Sequence, residues 1–319
     1  IPRQIELIKE DLEYFTDKVT MFPKKEVVTY DFVAESKDLP YERIEALNQI
    51  TTKRNMIVVT TIEALMQRLP AKEVLYKNSI DFKIGDLKNL EEIKQKLVEL
   101  GYARYELIDG RGQFSIRGGI LDISITEELG VRIEFWGDEI DSIRNFNIVS
   151  QRSIENLEKA TIYPAHEYLL ESNIDEVIAK IKNTIYTDEL QEQVNQDIET
   201  IKNGNYISKI DRYLNSFYEK QETILDYLSE NFVIAIDEIN KINQRLENVN
   251  LDSQNIIMLL MEKGKVVPEA LKNIAGYQEF EEKLSNKQKI YFEKFDDEIK
   301  IQAEKYKWVY KEKNFYKSE

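Results

Sequence analysis

Apolar residues recur at helical spacing at the start of the chain, where Ile5, Ile8, Leu12 and Phe15 share one side. A turn follows at Phe22-Pro23, and Val27-Val28-Thr29-Tyr30 reads as a short strand. Leu47 and Ile50 mark a helix that begins after Pro40. Proline suits a first turn because the N–H it lacks has no intrahelical partner there. Met56–Thr60 (MIVVT) is a continuous apolar run, the pattern of a strand buried on both faces in a parallel sheet. Thr60-Thr61-Ile62-Glu63 offers a cap for a short helix, Glu63–Arg68, closed by Pro70.

The pattern changes near residue 80. A helix over Leu90–Leu100 carries Ile93, Leu97 and Leu100 on its apolar face, and Gly101 stops it. Three strands are then expected. The first runs from Gln113 through Gly118-Gly119 to Ile125. The second is Val131–Trp136. After a turn at Gly137-Asp138, the third runs from Ile140 to about Val149. In the first strand the apolar set changes parity, from Phe114 and Ile116 to Leu121, Ile123 and Ile125. A β-bulge at the glycine pair would return that set to one face. In the second strand Val131, Ile133 and Phe135 form one face, and Arg132, Glu134 and Trp136 the other.

Beyond Pro164 the chain reads as mostly helical. Ile174, Val177, Ile178 and Ile181 mark one amphipathic helix, and Leu214, Ile224, Leu225 and Leu228 belong to others. Phe232–Ile236 (FVIAI) reads as a buried strand ending in Asp237-Glu238, with further strands at Ile256–Met261 and Ile290–Phe295. Seven of the 11 glycines fall between Gly101 and Gly137, which concentrates turns there and separates a strand-rich module from its flanks. The expected units are residues 1–79 (α/β), 80–163 (α+β) and 164–319 (helical with a few strands).

Composition narrows the chemistry. The 319 residues hold no Cys and one His, with 44 Lys plus Arg against 59 Asp plus Glu, a formal charge of −15. Disulfides, thiolate nucleophiles and Cys-ligated metals are excluded, and His166 alone makes no histidine cluster. The acid excess argues against a broad grip on nucleic acid, which needs clustered Lys and Arg. No apolar run reaches the roughly 18 residues of a membrane span, and no signal peptide opens the chain, so a cytoplasmic protein is expected. A chain that starts at Ile1 reads as a fragment or a processed product.

No GxxxxGK[ST] phosphate loop is present. Phe232–Glu238 (FVIAIDE) has the look of a magnesium-holding strand of a P-loop enzyme, but without that loop a core strand ending in surface acids is the better reading. His166 has no Ser or Cys partner at a recognisable spacing and reads as structural. Glu127-Glu128 and Asp138-Glu139 are chance pairs at turns. The unusual feature is the face Arg132, Glu134, Trp136, because Trp and Arg are the residue types most enriched at binding hot spots. Arg117, at the expected bulge, is re-aimed toward that face if its strand is a neighbour. Coverage of Trp136 by a second core or an adjacent domain is the equal alternative.

Three segments carry a family resemblance: Phe114–Ile123 (FSIRGGILDI), Val131–Phe146 (VRIEFWGDEIDSIRNF) and Ser150–Tyr168 (SQRSIENLEKATIYPAHEY). They resemble the UvrB-homology region near the N-terminus of bacterial transcription-repair coupling factors (Mfd). Thr60–Pro70 (TTIEALMQRLP) and Thr29–Leu47 are similar to the same family, the latter in place of the tyrosine-rich hairpin segment of UvrB. The resemblance is carried by residues 22–168. It implies a degenerate, helicase-like α/β unit that has lost its ATP site, with an inserted small α+β domain that docks on UvrA. It implies no catalytic residue and no cofactor in this stretch, ATP and magnesium belonging to a motor domain beyond it. RNA polymerase and DNA would be met through other domains. Carried over by position, the expected UvrA contacts are Arg117, Arg132 and Trp136, with Glu134 a weaker one. Trp136 stands where the family commonly has Phe, and Ser115 where UvrB relatives often have a second Arg. The competing reading is a UvrB-like ATP-dependent helicase fragment. A third has the Arg132–Trp136 face docked on another domain of the same protein and released when polymerase is engaged.

Overall fold

The computed structural model describes residues 2–25, 39–53, 55–169, 173–184, 186, 188–202, 213–263, 274–285, 287–293 and 304. The strand expected at Val27–Tyr30 lies outside them. Helix α1 (Pro2–Glu13) leads into strand β1 (Val19–Phe22), helix α2 (Leu39–Thr52), strand β2 (Ile57–Thr60), helix α3 (Ile62–Leu65), strand β3 (Leu69–Pro70) and helix α4 (Lys72–Lys77). β1 and β2 pair in parallel, as the apolar run predicts. Burial on both faces does not follow, since only Val59 of β2 is buried and Ile57 is exposed. Thr61 caps α3 by accepting from the Ala64 N–H at 3.3 Å, so the helix starts one residue earlier and ends sooner than predicted.

The central unit begins with β4 (Ile80–Lys83), helix α5 (Leu90–Glu99) and the short β5 (Ala103–Arg104). β6 (Gln113–Arg117), β7 (Ile120–Ser124), β8 (Leu129–Trp136), β9 (Glu139–Asn147) and β10 (Ser153–Leu157) follow, and β11 (Lys159–Ile162) returns to pair with β4. Six strands form one sheet in the order β10-β9-β8-β7-β6-β5, antiparallel except at β5–β6. α5 is held at its start by Asn89, which accepts from the N–H groups of Glu91 and Glu92. It ends at Gly101, whose φ of +89° suits a residue without Cβ.

The predicted bulge at Gly118-Gly119 is instead a hairpin turn. Arg117 pairs with Ile120 across a two-residue loop, and Gly118 has φ +61°. Such a loop sets each even position of β6 opposite an odd one of β7, Phe114 against Ile123 and Ile116 against Leu121. The change of parity is the mark of a chain reversal, and both apolar sets reach the same face without a bulge. That face packs Phe114, Leu121, Ile123, Val131, Ile133, Phe135, Ile140 and Ile143 against Ile93, Leu97 and Leu100 of α5 and Phe82 of β4.

The remaining elements are α6 (Ile174–Lys182), α7 (Asp188–Lys202), α8 (Leu214–Phe217), β12 (Gln221–Glu222), α9 (Ile224–Tyr227), β13 (Val233–Asp237), α10 (Ile239–Glu262), α11 (Tyr277–Ser285) and β14 (Gln288–Phe292). α6, α7 and α8 share a core built on Val177, Ile181, Val194, Ile198, Leu214 and Phe217. β12 pairs with β3, and Ile224 and Tyr227 pack with Phe22, Leu47, Leu69 and Leu75. β13 exists as predicted, but it is not buried: it pairs in parallel with β14, and Val233 is half-exposed. Ile256–Met261 is not a strand but the last part of α10.

The PAHE segment ties the central unit to the first. The Arg43 guanidinium, fully buried, donates to both carboxylate oxygens of Glu167 and to the carbonyl of Pro23 and Oε1 of Gln67, and lies 4.1 Å above the Phe22 ring. Ala165 donates its N–H to the Leu100 carbonyl at 2.8 Å. His166 packs on Gly101, where any Cβ would meet the imidazole at 2.1 Å. Burial pushes the His166 pKa down to about 4, opposed by its hydrogen bond with the Gly101 backbone. Its role is structural, as expected.

Candidate partner-binding face

The hairpins place all four predicted site residues on one side of the sheet. In an antiparallel pair, directly opposed side chains point the same way. Asp122 of β7 opposes Arg132 of β8, Arg132 opposes Arg144 of β9, and Glu134 opposes Ser142. β6 and β8 are not neighbours, since β7 lies between them. Arg117 nevertheless reaches the group diagonally, because its Nη2 donates to Asp122 Oδ2 at 2.8 Å.

Asp122 organises this half of the face. Its side chain is 1% exposed and both oxygens are used. Arg132 donates from Nε to Oδ1 at 2.6 Å and from Nη2 to Oδ2 at 2.9 Å, a bidentate pairing that fixes the guanidinium plane. Arg132 also donates to Gln151 Oε1 and stacks 4.3 Å above the buried Phe146 ring. The hydrogen bonds to Asp122 hold its pKa above the usual arginine range. Phe146 in turn lies over Gly130, where a Cβ would come within 2.6 Å of the ring.

These contacts divide the predicted site. Arg132, 15% exposed, is bonded inside the molecule to Asp122 and Gln151. Arg117 shares the same carboxylate but keeps 47% of its side chain exposed. Glu134 accepts from Ser142 at 2.9 Å and is ion-paired with Arg144. Trp136 ends β8 at 84% exposure, opposite Glu139 across the Gly137-Asp138 turn. Among the described residues it covers no core. Two guanidiniums thus share one carboxylate on the side of the sheet that also carries the bare indole, which faces Glu139.

Asp122 was missed by sequence reasoning. The signal was available: an acid amid Ile120, Leu121 and Ile123 falls opposite Arg132 once β7 is paired with β8. Among the described residues no group of three or more His, Asp or Glu is placed to hold a metal, and no helix is long and apolar enough to cross a membrane.

Residues 80–168 match the family described as the UvrB interaction domain. This stretch is similar to that family over its whole sheet, from β4 to β11. The transcription-repair-coupling factor of Bacillus subtilis (strain 168) is 30% identical to the chain over 279 residues, 83% of this chain and 24% of that relative. That of Staphylococcus aureus (strain bovine RF122 / ET3-1) is 28% identical over 277 residues, 82% and 24% respectively. The chain is similar to these transcription-repair-coupling factors and spans about a quarter of their length. Every residue of the face described above lies inside the interaction domain.

Proposed function

We propose that the interaction domain binds UvrA with this face, as a mimic of UvrB, and that the protein to which the chain belongs recruits excision repair to stalled RNA polymerase. In this reading Trp136 fills an apolar recess on UvrA and Arg117 meets a carboxylate beside it. Arg132 and Asp122 hold the platform, and Glu134, neutralised by Arg144, contributes least. The flanking α/β and helical segments act as a scaffold of degenerate helicase type, divided at about residues 79 and 163, and this stretch works in the cytoplasm without catalysis or cofactor. RNA polymerase and DNA are met elsewhere in the protein, and another domain of it covers the face until polymerase is engaged.

The observation that carries the reading is Trp136 at 84% exposure on the same side of the sheet as the half-exposed Arg117, within residues that match a family named for interaction. A large aromatic left in water on a rigid strand gains most when a partner desolvates it. Calorimetric titration of UvrA tests it. Trp136→Ala is expected to weaken binding about 30-fold, and Arg117→Ala several-fold, with the melting curve unchanged. Wild-type affinity in both variants removes the reading.

A further inference from the structure

The docking face does not end at Trp136. The loop after β4 crosses the tip of the β8–β9 hairpin, and Leu87 forms an isolated antiparallel bridge with Glu139, the residue opposite Trp136. Trp136, Glu139 and Leu87 therefore stand in one cross-strand row and point to one side of the sheet. Leu87 is 76% exposed. A single exposed leucine needs no explanation, but a leucine in register with a bare tryptophan makes a continuous apolar site divided by one acid.

The loop is also pinned. Lys88 donates its N–H to Asp138 O at 2.8 Å, Ile140 to Asp86 O at 3.0 Å, and Gly85 to Ile140 O at 2.9 Å. Three backbone bonds on either side of Leu87 hold its Cα in place before any partner arrives, which lowers the ordering cost of binding. The row spacing puts Leu87 and Trp136 about 10 Å apart at Cα, one hydrogen-bonded pair plus one closer pair.

We propose that Leu87 is a second apolar anchor of this face, on the same partner, resting on the reading of function given above. The partner surface then carries two apolar recesses about 10 Å apart, matching the row spacing. A basic or amide group lies between them over Glu139, and a carboxylate lies on the far side of the tryptophan recess, opposite Arg117.

Titration of UvrA with the whole chain and with Leu87→Ser, Trp136→Ala and Val149→Ser tests this. Val149 is 82% exposed but outside the row, and serves as the control. Leu87→Ser is expected to weaken binding about tenfold, with an unchanged melting temperature and with Val149→Ser at wild-type affinity. Wild-type affinity in Leu87→Ser, or an equal loss in Val149→Ser, overturns the inference. If Trp136→Ala weakens binding and Leu87→Ser does not, only the second anchor falls. If the wild-type chain gives no heat of binding to UvrA, the reading of function falls and the anchor with it.

Discussion

On the inner face of the six-stranded sheet, Phe114, Leu121, Ile133 and Ile143 are almost completely buried against one another and α5. Across the same strands the outer face carries Arg117, Asp122, Arg132, Glu134 and Trp136. Asp122 and Phe146 on this side are as buried as anything inside. Polarity therefore does not separate the buried part of this sheet from its open part. The outer face is itself split: around Asp122 and Phe146 it is a small, charge-paired extension of the fold, and from Arg117 to Trp136 it is open. Exposure at fixed backbone geometry, rather than residue type, marks what is left for a partner.

Four measurements of stability test this division. Ile133→Ala removes a fully buried branched side chain from the centre of the inner face and is expected to cost about 4 kcal/mol in urea unfolding. Arg132→Ala should behave as an inner-face mutation although it lies outside. It strips the bidentate partner from a buried carboxylate, and a loss of about 3 kcal/mol is expected. A loss below about 0.5 kcal/mol, the range of ordinary surface changes, would place Arg132 with the open residues instead.

His166 gives the third, through pH. Its pKa is depressed in the folded chain to about 4 from 6.5, so between those values the unfolded chain binds more protons and stability falls as pH falls. From pH 7 to pH 5 the wild type is expected to lose about 2 kcal/mol more than His166→Gln, each measured by urea denaturation at both pH values. Parallel curves would mean that the packing on Gly101 does not desolvate the ring. The smallest effect is expected for Trp136→Ala, whose melting should correspond to a change within about 0.5 kcal/mol because the indole touches little.

Much of the central unit was legible because its pairing is local. The β8–β9 hairpin follows from Gly137-Asp138, α5 from its apolar spacing and Gly101, and the face of Arg132, Glu134 and Trp136 from strand alternation. The glycine pair was read as a bulge because both devices change parity, and only the pairing of Arg117 with Ile120 distinguishes them. The parallel strands were less legible. β13 and β14 are apolar runs of the kind that fills a sheet centre, yet among the described residues they pair only with each other and stay half-exposed. Ile256–Met261 looked like a strand because a short apolar run carries no periodicity of its own. Its helical state comes from continuity with the preceding turns of α10. On the candidate face, the exposed Trp136 was legible from strand alternation and residue type. The places of Asp122 and Leu87 were not, since one looks like a stray acid and the other like an ordinary surface leucine.

Local alternation, the turn at Gly137-Asp138, the lack of cysteine and of a phosphate loop, and a family pattern dense enough to name candidate residues are all legible in the chain before it folds. These depend on neighbours a few positions apart, where backbone geometry leaves few choices. Only the tertiary structure decided which arginine is committed and which is open. That choice depends on Asp122, brought between Arg117 and Arg132 by two successive hairpins. The place of Leu87 beside Glu139, some 50 residues away in the chain, is likewise set only by the fold. Charge and exposure are properties of surroundings, and the surroundings of a strand are set by pairing that the chain completes only when it folds.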